Sequence, residues 1–241
     1  MNTKKIKVVF HHLGLGDHII CNGLVRNIVK NNENILLVCK KKYYENIKFM
    51  YRDERRIIVY PSNLDNDYKI QKLFFDFMKN EHEIVKIGFN NLYDVKCDSF
   101  DVAFYKLSKI NFKKRFDDFY IERDLKKEKE IYKKLNPKNE PYIYVHDDVS
   151  RGFSIDRRKH RQDLKIIYND MNYKIFNMRT VLENAVEIHT MQTGMYDFCN
   201  SIYLEKPQIY VHKYVRKYND FLKVDGTSVE GRTASEVLSD L

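Results

Sequence analysis

Two patterns of apolar residues alternate along the first part of the chain. Short apolar runs occupy residues 6–10 (IKVVF), 34–39 (NILLVC), 56–60 (RIIVY) and 83–88 (EIVKIG). Each is too short for a helix and apolar on both faces, as strands inside a parallel sheet are. Pro61 is expected to end the third. Between them, residues 17–29, 41–51 and 65–80 show helical spacing; in the first, Ile20, Leu24 and Ile28 line one stripe with Cys21 and Val25 beside it. Strands alternating with helices predict a parallel sheet covered on both faces.

The middle differs. Residues 99–107 carry Phe100, Ala103, Phe104 and Leu107 at helical spacing, 110–120 are aromatic and basic without strand alternation, and 122–135 form a charged helix. Asn136, Pro137 and Pro141 then interrupt the chain. A second β/α series follows, with strands expected at 142–146, 173–176, 186–189 and 208–212 and helices at 181–185 and 193–202. The tail from Val224 is polar and expected to be loosely held. This pattern predicts an α/β protein of two Rossmann-like domains, 1–125 and 126–241, with the junction within 121–139.

Composition narrows the function classes. The 241 residues include 43 Lys and Arg against 34 Asp and Glu, a net charge of +9 spread along the chain. Such a balance is either a solvated lysine-rich surface or a field that attracts anionic ligands such as nucleoside diphosphates. Cys21, Cys39, Cys97 and Cys199 are far apart with no CxxC pair, which argues against a zinc site. Cys21 and Cys39 read as reduced core residues. The N-terminus runs into a strand without the apolar stretch of a signal peptide, and no apolar run reaches the ~18 residues of a membrane helix. A soluble, cytoplasmic protein is expected.

Three stretches hold candidate chemistry. The first is the loop after the opening strand, with Gly14, Gly16, Asp17 and His18. Asp17 is either a helix cap or a catalytic base at the carboxyl end of a strand, the edge where open α/β sheets bind ligands. The glycines do not complete a GxGxxG, because Ile20 stands where a later glycine belongs, so a dinucleotide site is disfavoured. The second stretch follows the strand ending at His146 and includes Asp147, Asp148, Ser150, Arg151 and Gly152, then the cluster from Arg157 to Arg161. Arg151 is placed to reach a diphosphate, and the cluster is otherwise a solvated loop. No further acidic residue at suitable spacing joins Asp147 and Asp148 in a metal site. The third runs from Glu187 and His189 to Gln192, Thr193, Gly194 and Met195, where a helix N-terminus suits a phosphate and Thr193 alone is an ordinary cap. No GxSxG nucleophile is present. Phe112 to Tyr120 lacks the frame of a nucleic-acid-binding module and reads as packing.

Taken together, LGLGDHIICNGLVR, HDDVSRGF and EIHTMQTGMYDFCNSIYLEKP resemble the ADP-heptose lipopolysaccharide heptosyltransferases and their glycosyltransferase relatives. The segment FDVAFYKLSKINFKKRFDDFYIERD resembles the linking region of small relatives, so the likeness spans roughly residues 5–215. It implies a GT-B fold, two facing Rossmann-like domains with a cleft between them, the first taking the acceptor and the second the nucleotide sugar. By this likeness Asp17 matches the aspartate of the family's GD motif, its proposed base. The family's DTGxxH becomes Gln192 to Asp197: Thr193 and Gly194 match, Gln192 replaces the aspartate, and Asp197 stands at the histidine.

The likeness further implies metal-independent transfer from a nucleoside-diphosphate sugar, which is a substrate, so that no cofactor is needed. The acceptor would be a glycan or a glycolipid, the latter bringing peripheral contact with a membrane surface. Arg151 and the amides of Thr193 to Met195 would hold the diphosphate, with Gly14, Gly16, His18, His146, Ser150, Arg157, His189 and Gln192 lining the substrates. Glu183 or Glu187 would hold the ribose. Two other readings stand beside this one: a catalytically silent nucleotide-sugar or glycan-binding relative, suggested by Gln192 and Asp197, and a basic nucleic-acid-binding protein, suggested by the net charge.

Overall fold

A computed structural model describes residues 6–32, 34–78, 82–88, 95, 99–148, 152–156 and 161–212, with backbone only at 77 and 78. The chain divides into two compact units, Met1–Glu122 and Arg123–Leu241.

The first unit is built on four parallel strands: β1 (Lys7–Phe10), β2 (Ile35–Lys40), β3 (Ile57–Ser62) and β4 (Glu83–Lys86), in the order β3-β2-β1-β4. Its helices are α1 (Leu15–Ile20), α2 (Asn22–Lys30), α3 (Tyr44–Met50), α4 (Asp67–Met78), α5 (Phe100–Leu107) and α6 (Lys114–Asp117). Val8, Phe10 and Val38 pack with Ile70 and Phe74 of α4 on one face of the sheet. Val9, Ile35, Leu37 and Cys39 alternate to the other face and are equally buried, which is why these strands read as continuous apolar runs.

The opening helix departs from expectation. Residues 17–29 are not one helix, because the ladder breaks at Cys21. The Tyr105 hydroxyl occupies the gap, accepting from the Leu24 amide at 3.1 Å and donating to the Ile20 carbonyl at 3.0 Å. An inserted side chain is a recognised cause of a helix kink. Immediately after the break, Asn22, Gly23 and Arg26 clasp the segment that ends this unit. The Asn22 side-chain oxygen accepts from the Tyr120 amide at 3.0 Å, and the Arg26 guanidinium donates to the Tyr120 carbonyl and the Asp53 carboxylate. A Cβ on Gly23 would lie 2.1 Å from the Lys114 carbonyl oxygen, so only glycine lets α2 come this close.

Pro61 does not stop the third strand; it pairs with Cys39, and Ser62 pairs with Lys40. The Ile35 amide donates to the Arg56 carbonyl. In a parallel strand, alternate residues offer their backbone to one neighbour. Positions 58, 60 and 62 therefore face β2, and the Pro61 nitrogen faces outward from an edge strand, where its missing N–H costs no ladder bond.

The second unit opens with α7 (Leu125–Leu135), capped by the Asp124 side chain. Its parallel strands are β5 (Tyr142–His146), β6 (Lys165–Tyr168), β7 (Glu187–Met191) and β8 (Gln208–His212), in the order β6-β5-β7-β8. The helices between them are α8 (Arg179–Glu183) and α9 (Gly194–Ser201). The expected strand at 173–176 is wrong. That role belongs to β6, and residues Ile175–Met178 form a short 3-10 turn whose Phe176 meets Phe198 of α9 at 5.4 Å between ring centroids. On the opposite face, Ile143, Val145 and Met191 pack with Ile155. Cys21, Cys39 and Cys199 are buried free thiols, and Cys97 lies outside the described residues. Among the described residues, no helix is long and apolar enough to cross a membrane.

Candidate functional site

Both sheets reverse their strand order at an interior strand. In the first unit β2 lies on one side of β1 and β4 on the other; in the second β6 lies on one side of β5 and β7 on the other. Open α/β sheets bind ligands beyond the carboxyl ends of the strands at such switch points. The chain leaving β1 and β4, and that leaving β5 and β7, therefore borders these switch points.

In the first unit, β1 delivers His11, His12 and Leu13 to this edge, and Gly14 begins α1. Asp17 sits in the first turn, and its Oδ2 accepts from the Gly14 amide at 3.1 Å. The carboxylate thus closes the helix start, as a capping acid does. A Cβ on Gly14 would lie 2.7 Å from that same oxygen, so a larger residue there would push the carboxylate aside. Gly16 lies inside the same turn. The loop is anchored from outside by Asp67, the first residue of α4, whose Oδ2 accepts from the Leu13 amide at 3.2 Å while its Oδ1 pairs with Lys40 of β2 at 2.5 Å.

The three histidines have different surroundings. His18 is fully buried and meets the ring of His11, also fully buried, edge-on at 4.4 Å between centroids. It faces the interior beneath the loop. Burial pushes His11 down to about 4 and His18 well below the usual histidine range, so both are neutral at neutral pH. His12 turns toward β4. Gly88 there has φ +93°, and a Cβ on it would lie 2.8 Å from the His12 ring. The ring also stands edge-on to Phe104 at 5.4 Å. Burial lowers the pKa of His12, with the Asp17 and Asp67 carboxylates pulling the other way. His12, Gly88, Asp67 and Lys40 belong to this edge without carrying a motif. The paired histidines at the end of a strand are the one sequence signal that points to them.

In the second unit, His146 ends β5 and Thr193 caps α9. The Thr193 hydroxyl accepts from the Met195 amide at 3.3 Å and lies 3.4 Å from Nδ1 of His146. The switch point therefore brings together His146, Thr193 and the start of α9 at Gly194. Burial lowers the pKa of His146, against the pull of Asp148 and Asp147. Asp147 accepts from the Ile155 amide at 2.6 Å, and the Asp148 carbonyl accepts from Phe153, folding the following loop back on itself. Gln192 holds its side-chain oxygen buried without a hydrogen-bond partner among the described residues. Met195 is buried and packs inward. Asp197 lies in the first turn of α9, where its charge complements the helix dipole.

Other expected residues lie elsewhere. Glu187 opens β7, at the far end of the strand from this edge, and its carboxylate is 3.2 Å from His189 Nε2. His189 is buried within the sheet face, its Nδ1 3.0 Å from His212 Nε2. Glu183 is engaged by Arg123 and Arg179. Ser150, Arg151 and Arg157 lie outside the described residues. In the aromatic-basic run, Phe112 meets Tyr105 at 5.5 Å and Phe116 at 5.9 Å, and buried Arg115 pairs with Asp101. These side chains are used in packing.

No family model matches the sequence, and no curated protein matches it. Solved structures do. E. coli ADP-heptose LPS heptosyltransferase II matches with a TM-score of 0.52 at 8% identity, over 98% of this chain and 97% of that one. A glycosyl transferase family 9 protein from Veillonella parvula DSM 2008 matches with a TM-score of 0.49 at 10% identity, over 82% of this chain and 78% of that one. At these identities the likeness is one of fold: this chain shares the mixed α/β architecture of the E. coli protein along nearly its whole length.

Proposed function

We propose that this protein is a glycosyltransferase that moves a sugar from a nucleoside-diphosphate sugar to a hydroxyl of a glycan or glycolipid acceptor. The observation that carries the reading is the position of Asp17: a carboxylate oriented by the Gly14 amide, at the switch point of the first sheet. A fold shared end to end with a heptosyltransferase supports it.

In this reading the first unit takes the acceptor and the second the donor. Asp17 accepts the proton of the acceptor hydroxyl as its oxygen attacks the anomeric carbon. The bond from that carbon to the diphosphate breaks, and the electron pair leaves with the diphosphate. Its growing charge is met by the amides at the start of α9 and by Arg151, without a metal ion. His146 and Thr193 shape the pocket beside them.

Screening thermal stability against nucleoside diphosphates and their sugars tests the donor half. Stabilisation by one base, retained in Asp17→Asn while transfer falls by about 100-fold or more, is the expected result. No stabilisation by any of them overturns the reading. One feature favours a silent relative: Asp197 puts a fixed negative charge in the first turn of α9, where a diphosphate would have to approach. Donor binding with full retention of the sugar, in wild type and Asp17→Asn alike, would select that alternative.

A further inference from the structure

The large apolar side chains that face solvent are unevenly placed. Among the described residues there are twelve, and six of them, Ile58, Tyr60, Leu64, Tyr68, Leu73 and Phe75, fall within 58–75. Soluble monomers normally scatter such side chains singly, and a contiguous group marks a contact surface. Ile58 and Tyr60 alternate along the edge strand β3, so both project from one face of the sheet. That face is the one α4 covers, because Tyr60 meets Phe74 of α4 edge-on at 5.2 Å. Ile70 and Phe74 turn the inner side of α4 to the core. Tyr68 and Phe75, seven residues apart, share one outer flank and are 62% and 42% exposed.

The charges of the same region do not balance. Within 53–76, the acids Asp53, Glu54, Asp65 and Asp67 are paired with Arg26, Arg56, Lys42 and Lys40. Arg55, Lys69 and Lys72 are exposed and have no ion pair among the described residues, against a single such acid, Asp76. Lys72 stands one turn from both Tyr68 and Phe75, and Lys69 one turn from Leu73. Lysine stems can lie over such apolar neighbours while the ammonium groups reach anionic headgroups, and tyrosine rings settle at that depth. The surface also begins beside the first switch point, since Asp67 at the start of α4 accepts from the Leu13 amide of the Asp17 loop.

We propose that β3 and α4 dock the first unit on an anionic lipid bilayer, with Tyr68 and Phe75 entering the headgroup boundary and Lys69 and Lys72 meeting the lipid phosphates. Its purpose rests on the transferase reading above: a glycolipid acceptor in the same bilayer reaches Asp17 from the side where α4 begins. Charge speaks against a second copy of this chain as the occupant. A two-fold contact would use the same patch on both partners and bring the uncompensated cations Arg55, Lys69 and Lys72 against their own copies. A bilayer of anionic lipid neutralises them instead.

The test reads binding without donor or acceptor. The full chain is sedimented with vesicles of phosphatidylcholine mixed with phosphatidylglycerol, and with phosphatidylcholine alone, at low and raised salt. Binding to the mixed vesicles, weakened by salt and by omission of the anionic lipid, is the expected result. Lys69→Gln with Lys72→Gln should lower the partition about 25-fold, about 5-fold for each charge. Tyr68→Ser with Phe75→Ser should lower it about 10-fold or more. Met171→Ser removes an apolar side chain 84% exposed in the second unit and should leave it unchanged. All the substituted side chains are exposed, so wild-type unfolding midpoints are expected throughout. No binding of the wild type to mixed vesicles, or a partition unaltered in the two double variants, overturns the proposal. Sedimentation velocity without lipid tests the second copy: a dimer that Tyr68→Ser with Phe75→Ser dissociates, with no vesicle binding, assigns the surface to self-association and overturns docking on a bilayer. Stabilisation by a nucleoside diphosphate without vesicle binding removes the docking and leaves the transferase reading standing.

Discussion

The amide of Leu24 donates to the hydroxyl of Tyr105, where an unbroken helix would have given it to Ile20. One side chain from α5 therefore sets the angle between α1, which carries Asp17, and α2. In Tyr105→Phe, the Ile20 carbonyl and the Leu24 amide lose their shared partner inside the core. A buried unpaired backbone group costs about 1–3 kcal/mol, so a loss of about 2 kcal/mol is expected by urea denaturation. A smaller loss with a straightened α1–α2 helix would show that the ladder closes by itself.

Gly23 makes a second demand on the same helix. Alanine is favoured over glycine inside a helix by about 1 kcal/mol, but here its Cβ would overlap the Lys114 carbonyl at 2.1 Å. Strain of this kind costs about 1–3 kcal/mol or more. Gly23→Ala is expected to destabilise the protein by about 2 kcal/mol and to expose residues 110–120 to proteolysis. A stabilised variant would show that α2 and α6 are not pressed together.

Asp67 holds the opening loop without belonging to it. Asp67→Ala removes the acceptor of the Leu13 amide and the partner of Lys40 at once. The expected cost is about 1–3 kcal/mol, with faster hydrogen exchange at Leu13 and Gly14 than elsewhere in the first unit. Exchange unchanged at these two amides would remove the anchoring role.

The buried histidines make stability depend on pH in a defined window. An unfolded histidine takes its proton near 6.5, whereas His11 in the fold resists protonation down to about 4 and His18 further still. Below the unfolded value the denatured chain binds protons that the native one refuses. Their stabilising contribution is complete above about pH 6.5 and is lost as pH falls toward 4, by about 3 kcal/mol for His11 alone. His146 acts in the same direction. The urea midpoint should fall between pH 7.5 and 5, before most carboxylates titrate, and His18→Leu should flatten the slope. A midpoint constant over that range would contradict the assignment.

The parallel architecture was legible because strands buried on both faces leave continuous apolar runs, and the Gly14–Asp17 loop because a glycine start and a helical acid are local features. What the sequence concealed was set by partners distant along the chain. The helix break at Cys21 depends on Tyr105, 81 residues after Leu24. Gly88 looks like an ordinary loop glycine until His12 occupies the space above it. In β6, Lys-Ile-Ile-Tyr is as short as Tyr-Lys-Ile-Phe at 173–176 and equally apolar, yet pairing with Tyr142–Val145 makes it the strand. Tertiary hydrogen bonding, not periodicity, decided between them.

Pro61 gives the exposed border of the first sheet a protective property. Ile58 and Tyr60, both 46% exposed, make β3 an adhesive strip, and a free row of amides beside them would invite another chain to add a strand. Of the positions that face outward, Pro61 has no N–H to offer, and the Ile57 amide is spent on the Glu54 carbonyl. Among the outward-facing positions 57, 59 and 61, only Val59 therefore has an amide left to offer, while the carbonyls still accept. Among the described residues, Pro61 thus thins the row of donors that this apolar border offers to an added strand.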